Sequence, residues 1–383
     1  METKISRISQ WLRTTFEFDS AQSRLVSMEG LRGLAVTLVF LVHYTTLARP
    51  WVAAGSSTDY VVEMLHSVGN TGVDLFFVLS GYLIYGTLIE KRKAFGLYFA
   101  RRIERIYPVF AVVTAVYLLL FLVFPSESKL PAGAGSAALF VFQNLIFMPG
   151  LFPVQAINTV TWSLSYEMFY YLVMPLLITL VGMRAWRRDT RIGFFLGLGV
   201  VLALVFGVLG GPVRMMMFIA GIILYELVTK GVRIQRERGS GLVALALGVA
   251  CVWILHGKGL VGQVVLLCIF FGYGCFTCFC IADGGKGVTR DVFSWRPLRW
   301  LGNMSYSYYL IHGLTLKFIF LISGKLWPPV PAQTWKIWAG VPFAFTLTLI
   351  SSAVLFIAVE KPFSLAPGAL INRFKKPAAV PAS

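Results

Sequence analysis

The chain has 383 residues, of which 57% are hydrophobic and 13% charged, and its mean hydropathy is +0.75. A water-soluble globular domain of this length does not carry so apolar a composition, so a soluble enzyme is excluded first. The formal charge of +17, from 34 Lys and Arg against 17 Asp and Glu, admits nucleic acid, anionic lipid or the loops of a membrane protein as its cause, and the placement of the charges decides among them.

Residues 1-24 read as a charged N-terminal segment without the apolar stretch of a cleavable signal sequence. Apolar runs bounded by Pro, Gly and charge then predict ten membrane-spanning helices, near 31-49, 72-89, 107-124, 161-182, 192-209, 213-229, 241-256, 260-282, 300-322 and 338-359. Residues 136-148 are apolar but shorter than a span, and Pro131, Gly133, Gly135, Pro149, Gly150 and Pro153 fence them in. They are expected to form a re-entrant or interfacial helix. Residues 363-383, ending in KKPAAVPAS from Lys375, read as a disordered tail. The expected fold is therefore an all-α polytopic membrane protein, with one membrane-embedded domain over 25-362.

With ten spans and both termini cytoplasmic, 27 Lys and Arg fall on the inner side and 7 elsewhere. Letting 136-148 span would move Arg184, Arg187, Arg188 and Arg191 outside and remove that bias, against the positive-inside rule. The same placement accounts for the basic charge without a nucleic-acid partner. Cys275, Cys278 and Cys280 have no His or carboxylate beside them at ligand spacing, so they read as small buried hydrophobes, and neither a metal nor a permanently bound cofactor is expected.

Titratable groups in spans are costly and point to function. Arg32 and His43 lie eleven residues apart, three helical turns plus about 20°, which places them on one face about 16 Å apart along the axis. Arg32 falls at the cytoplasmic end and His43 in the outer half. The structural alternatives are an interfacial anchor and a packed histidine. Asp74 falls near the outer end of the second span, where a carboxylate at a helix N-terminus is the competing explanation, and Gly81 lies on the same face, allowing close backbone approach. Glu167 in TWSLSYEMFYYL lies about two turns into its span, too deep to cap it, with Ser163 one turn away on the same face. In SYSYYLIHG, His312 has Tyr308, Tyr309 and Ser305 within two turns. Counted from the span ends, His43, Asp74, Glu167 and His312 all fall in the outer half, which suggests one site. A histidine beside a carboxylate suits a general base, and either carboxylate can be the partner.

On the inner side Arg101, Arg102 and Arg105 precede Pro108, the expected start of the third span. Their forks can hold phosphates, with ordinary anchoring as the alternative. Arg32 lies on the same side, so an elongated phosphate-bearing ligand could reach along the first span toward His43. Arg214 at the outer face can bind an anionic sugar group or merely snorkel.

The motifs MEGLRGLAVTLVFLVHY, GNTGVDLFFVLSGYLIYGTL, ARRIERIYPVF, TWSLSYEMFYYLVMP and SYSYYLIHG, in this order, resemble the acyltransferase 3 family of bacterial membrane acyltransferases, from about residue 25 to 360. The resemblance implies a ten-span domain in the bacterial inner membrane that moves an acyl group, commonly acetyl, from cytoplasmic acyl-coenzyme A to an extracytoplasmic sugar hydroxyl. The family's arginine–histidine motif maps onto Arg32 and His43, its arginine-rich loop onto Arg101, Arg102 and Arg105, and its glutamate motif onto Glu167. On that basis the coenzyme A is expected against Arg32, Arg101, Arg102 and Arg105, the chemistry at His43 with Glu167 or Asp74 orienting it, and the acceptor side lined by Ser163, Tyr166, Tyr308 and His312. His43 acts either as general base or through an acyl-histidine. The partners expected are acyl-CoA, a glycan or lipid-linked sugar, and membrane lipid. A proton-coupled transporter or flippase using His43 and Glu167 as a relay is the competing reading.

Overall fold

The computed structural model describes residues 2–17, 26–90, 94–330 and 334–365. Among them are fourteen α-helices: α1 (Glu2–Phe16), α2 (Val26–Ala48), α3 (Ser57–Ile89), α4 (Phe95–Val123), α5 (Ala134–Leu145), α6 (Thr161–Leu180), α7 (Arg188–Leu209), α8 (Met216–Thr229), α9 (Ser240–Ile254), α10 (Leu260–Phe279), α11 (Val288–Phe293), α12 (Arg296–Asn303), α13 (Ser305–Leu326) and α14 (Trp335–Leu355). The last continues as a π-helix over Phe356–Leu365. Eight of them, α2, α3, α4, α6, α7, α10, α13 and α14, are long and apolar enough to cross a membrane. The segments predicted at 213-229 and 241-256 are helical, but α8 and α9 have only 14 and 15 residues, short of the 17 or so that a span needs. α5 has 12 residues.

Several boundaries differ from the apolar runs, for identifiable reasons. The second span was expected to start at 72, whereas α3 has 33 residues and starts at Ser57, with Ser56 Oγ accepting from Asp59 N as its cap. Asp74 therefore sits deep inside a helix, and the helix-terminus explanation for it fails. α4 likewise starts at Phe95, so Arg101, Arg102, Arg105 and Pro108 are intrahelical and Pro108 starts nothing. In both cases polar residues occupy one face of a helix whose other face is packed, and hydropathy averages that face away. The run 300-322 breaks at Met304, because α12 turns in to lie on α2. A Cβ at Gly302 would stand 1.7 Å from Glu29 O, an approach that needs glycine. The chain is also not purely helical. β1 (Ile234–Glu237) and β2 (Ile281–Gly287) pair in parallel, with Ile234 opposite Ile281 and Glu237 opposite Gly287.

The core lies where α2, α3, α6 and α8 meet, around Leu31, Leu75, Val78, Ile178, Met217 and Phe218. Phe218 stacks on Tyr170 at 4.1 Å and on Phe77 at 4.6 Å between ring centroids. Without a hydrophobic force between helices in lipid, such contacts and small residues supply the association. Cys275, Cys278 and Cys280 are buried free thiols in or just after α10. α1 and the π-helix pack together at one end of the bundle, with Phe16 stacked on Phe356 at 5.5 Å and Lys361 Nζ donating to Thr14 O and Thr15 O. Arg184, Arg188, Arg191 and Arg299 are tied down at that same end, through Leu88 O, Glu226 and Glu29. Arg24, Lys91, Arg92, Lys93, Arg373, Lys375 and Lys376, and most of the expected tail over 363-383, lie outside the described residues.

Candidate active site

Side chains from α2, α3, α4, α6 and α13 enclose a cavity of about 170 Å³. Arg32, Arg102, Arg105, Glu167, Ser80 and Tyr171 form its polar wall, and Ser163, Ser305, Tyr306 and Tyr309 complete it. Arg102 and Arg105 are three residues apart on α4, so both face inward, whereas Arg101 is exposed and does not line the cavity. The guanidinium of Arg102 lies 5.3 Å from the Tyr98 ring centre and 5.2 Å from that of Tyr171. Arg105 stacks on Tyr306 at 5.7 Å, and its Nη1 stands 2.8 Å from Oε1 of Glu360. Glu167 Oε1 accepts from Tyr171 OH at 2.5 Å and from Ser80 Oγ at 3.4 Å. Arg32 makes no hydrogen bond or close ion pair among the described residues, although it stands in the field of Glu360 and Glu167. Three arginines against one lining carboxylate give an anion-binding wall.

The second cluster is apolar in its surroundings. The rings of His43 and His312 meet edge to face, with centroids 4.8 Å apart. His312 is fully buried and stacks on Tyr308 at 5.3 Å. Its Nδ1 lies 2.9 Å from the carbonyl oxygen of Tyr308, which can only accept, so Nδ1 carries the proton. The buried Nε2 has no hydrogen-bond partner among the described residues. Tyr308 is held in turn by a 2.9 Å bond to Thr348 Oγ1. The two clusters are joined by Tyr309, whose hydroxyl lies 2.7 Å from Ser163 Oγ on the cavity wall and whose ring lies 6.1 Å from that of His312. α12 lies beside the first turns of α2, with Gly302 against Glu29 and Leu298 against Gly33, and α13 follows from Ser305 to carry His312.

The four titratable groups expected at one level are thus divided. His43 and His312 come together. Glu167 lines the arginine cavity, and Asp74, fully buried, is ion-paired and hydrogen-bonded to Arg214. Neither carboxylate is hydrogen-bonded to His43 among the described residues, so the expected carboxylate–histidine pair is replaced by two histidines. Arg214 is correspondingly committed to Asp74 and to Asn70 O instead of facing outward. Tyr166 packs between Phe77 and Trp162, at 5.9 and 5.4 Å, and does not line the cavity.

Glu360 was not anticipated. It is fully buried at the end of the last apolar run, paired with Arg105 and accepting from Ser307 N at 2.9 Å and Ser307 Oγ at 2.5 Å. Its signal in the sequence was a lone acid closing a long apolar stretch, but ending that span at 359 put it in the cytoplasmic loop. Ser80, Tyr171 and Tyr306 were also missed, since a hydroxyl on an apolar helix carries no signal of direction.

An acyltransferase domain family matches residues 25–357. The chain belongs to the acyltransferase 3 family. It is 24% identical over 373 residues to the acyltransferase MdmB of Streptomyces mycarofaciens, covering 88% of this chain and 91% of that protein. It is 25% identical over 402 residues to the peptidoglycan O-acetyltransferase OatA of Listeria monocytogenes, covering 91% of this chain and 57% of the relative. Identity to the O-acetyltransferase OatA of Staphylococcus aureus is 24% over 344 residues, covering 79% of this chain and 52% of the relative. The chain thus spans about half the length of the OatA proteins it matches. No solved structure matches it. The family match is to an acyltransferase domain, which disfavours the competing transporter reading.

Proposed function

We infer that the chain transfers an acyl group, acetyl foremost, from cytoplasmic acyl-coenzyme A to a hydroxyl of an extracytoplasmic sugar or polysaccharide in the bacterial inner membrane. The observation that carries this reading is the pairing of an arginine-walled cavity with a histidine pair about three helical turns further along α2. The donor's phosphates lie against Arg32, Arg102 and Arg105, and its acyl end reaches past Ser163 and Tyr309 toward His43. His43 takes the proton of the acceptor hydroxyl, the C–O bond forms as the C–S bond breaks, and the thiolate leaves toward the cytoplasm. His312, its tautomer fixed by Tyr308 O, offers Nε2 to orient His43 or the hydroxyl. Glu167 positions Tyr171 and balances the arginines, and Asp74 holds Arg214. Acceptor names among the relatives, peptidoglycan above all, support a glycan hydroxyl.

The test is donor kinetics in liposomes. Lys in place of Arg102 or Arg105 keeps the charge and loses the fork. Arg102→Lys and Arg105→Lys are expected to raise KM for acetyl-CoA about tenfold, while Arg101→Lys, outside the cavity, leaves it within about twofold. Equal effects at all three positions would remove the cavity from the donor site.

A further inference from the structure

The chain has four histidines, and they fall along one path although they come from four segments. His312 and His43 are in ring contact. α3 runs antiparallel to α2 and is pressed against it at Gly69, where a Cβ would stand 2.5 Å from Val42 N and 2.7 Å from Leu38 O. His66 lies one turn before Gly69 on the same face of α3, level with the turn of α2 that follows Val42, and it acts electrostatically on His43. His66 is in turn within the field of His256, at the end of α9. His256 Nδ1 lies 3.2 Å from Ser67 Oγ, and its Nε2 lies 3.6 Å from Glu63 Oε1. Exposure rises along the series, from 0% at His312, through the partly buried His43 and His66, to a His256 side chain 55% exposed. The charged groups facing His66 are Arg49, His43 and His256. Arg49 is itself neutralised by ion pairs with Asp59 and Glu63.

A base that takes a proton in each cycle must discharge it, and the thiolate leaves in the opposite direction. We propose that His66 and His256, ending at Glu63, carry the proton from His43 to the face of the bundle that bears Arg49. The proposal rests on the transfer reading above. The balance per turnover is one proton taken from the acceptor O–H by His43, passed to His66, then to His256 and Glu63 and into water on that face. The coenzyme A thiolate takes a different proton from cytoplasmic water. His66 and His256 touch no reacting atom and act as relays.

The probe is acetyl-CoA with water as acceptor, followed by thiol release from the full chain in liposomes. His66→Gln and His256→Gln are expected to lower kcat about tenfold or more with KM for acetyl-CoA unchanged, and imidazole added to the medium to restore His66→Ala. Unchanged kcat overturns the relay, as does a loss that imidazole leaves untouched in a variant that melts early. No thiol release from wild type overturns the transfer reading instead. A second measurement then decides the relay alone: with four histidines, the ¹⁵N ring signals can be assigned by single substitutions and titrated from the medium. The His43 signal is expected to follow external pH in wild type and to respond more slowly in His66→Gln. Equal response in both overturns the path.

Discussion

Glu360 supports the arginine cavity from behind. Its carboxylate holds Arg105 and both the N–H and the hydroxyl of Ser307, with no exposure to solvent. Removing one partner of a buried pair leaves the other charge uncompensated, which costs about 3–5 kcal/mol. Glu360→Ala is therefore expected to lower the midpoint of thermal unfolding in detergent sharply and to raise KM for acetyl-CoA, whereas Glu360→Gln keeps the Ser307 bonds and loses less. A variant that melts like wild type would show that Arg105 does not depend on Glu360. At this scale the sequence marked Arg32, His43, Arg102, Arg105, Glu167 and His312 because each is a titratable group in an apolar setting. It could not show which carboxylate meets which cation, since that depends on the rotation of each helix about its own axis. Asp74 and Glu167 are both candidates for His43 on sequence alone, and each has another partner in the fold.

Two features at the scale of elements carry predictions. Gly221 on α8 lies against α3 so closely that a Cβ would stand 2.0 Å from Val78 O, and Gly81 meets Phe218 O in the same way at 2.2 Å. Gly221→Ala is expected to push α3 and α8 apart and to cost about 1–3 kcal/mol, read as a lower unfolding midpoint. The second feature is the corner of β1, α9 and α11. Glu237 caps it, accepting from the backbone N–H groups of Gly239, Gly241 and Thr289 and from the hydroxyls of Ser240 and Thr289. Burial pushes this carboxyl up, but the hydrogen bonds from Thr289 and Gly241 outweigh it and hold it below its ordinary value. A depressed folded value means that the cap contributes its full stability above the unfolded carboxylate pKa, about 4.3, and loses it as the pH falls through the folded value. Protection of the Gly239, Gly241 and Thr289 amides against exchange, taken relative to the intrinsic rate at each pH, is therefore expected to fall in wild type as the pH drops below the ordinary carboxylate range, and Glu237→Gln to remove that dependence. Protection that does not change with pH in wild type would contradict the cap. The sheet at this corner was invisible in the sequence, because a strand reading IADGGKG has neither alternation nor β-branched density. The starts of α3 and α4 fall earlier than hydropathy places them because their first turns carry half-buried or exposed residues such as Asp59, Glu63 and Arg101, which lower the apolar average although the backbone is helical.

For the molecule as a whole, the ten predicted apolar segments are all helical, and eight have the length and composition to cross a membrane. Composition and charge were enough for that, since a bilayer admits few alternatives to the helix. The family was legible from five short motifs spread over the chain, each of which falls on a helix that contributes to the cavity or the histidine pair. The relation between those two clusters was legible only in part: the eleven-residue spacing of Arg32 and His43 gave the distance along α2, but not the replacement of a carboxylate by His312.

Delivery of an acyl-CoA by the arginine cavity to the His43–His312 pair, as proposed, is tested by transfer or hydrolysis of radiolabelled acetyl-CoA by the purified chain in liposomes, wild type against His43→Ala. Turnover is expected in wild type, with a loss of at least about a hundredfold in His43→Ala and acetyl-CoA binding retained. Binding without any dependence of turnover on His43, or no turnover by wild type with any acyl-CoA, would contradict it.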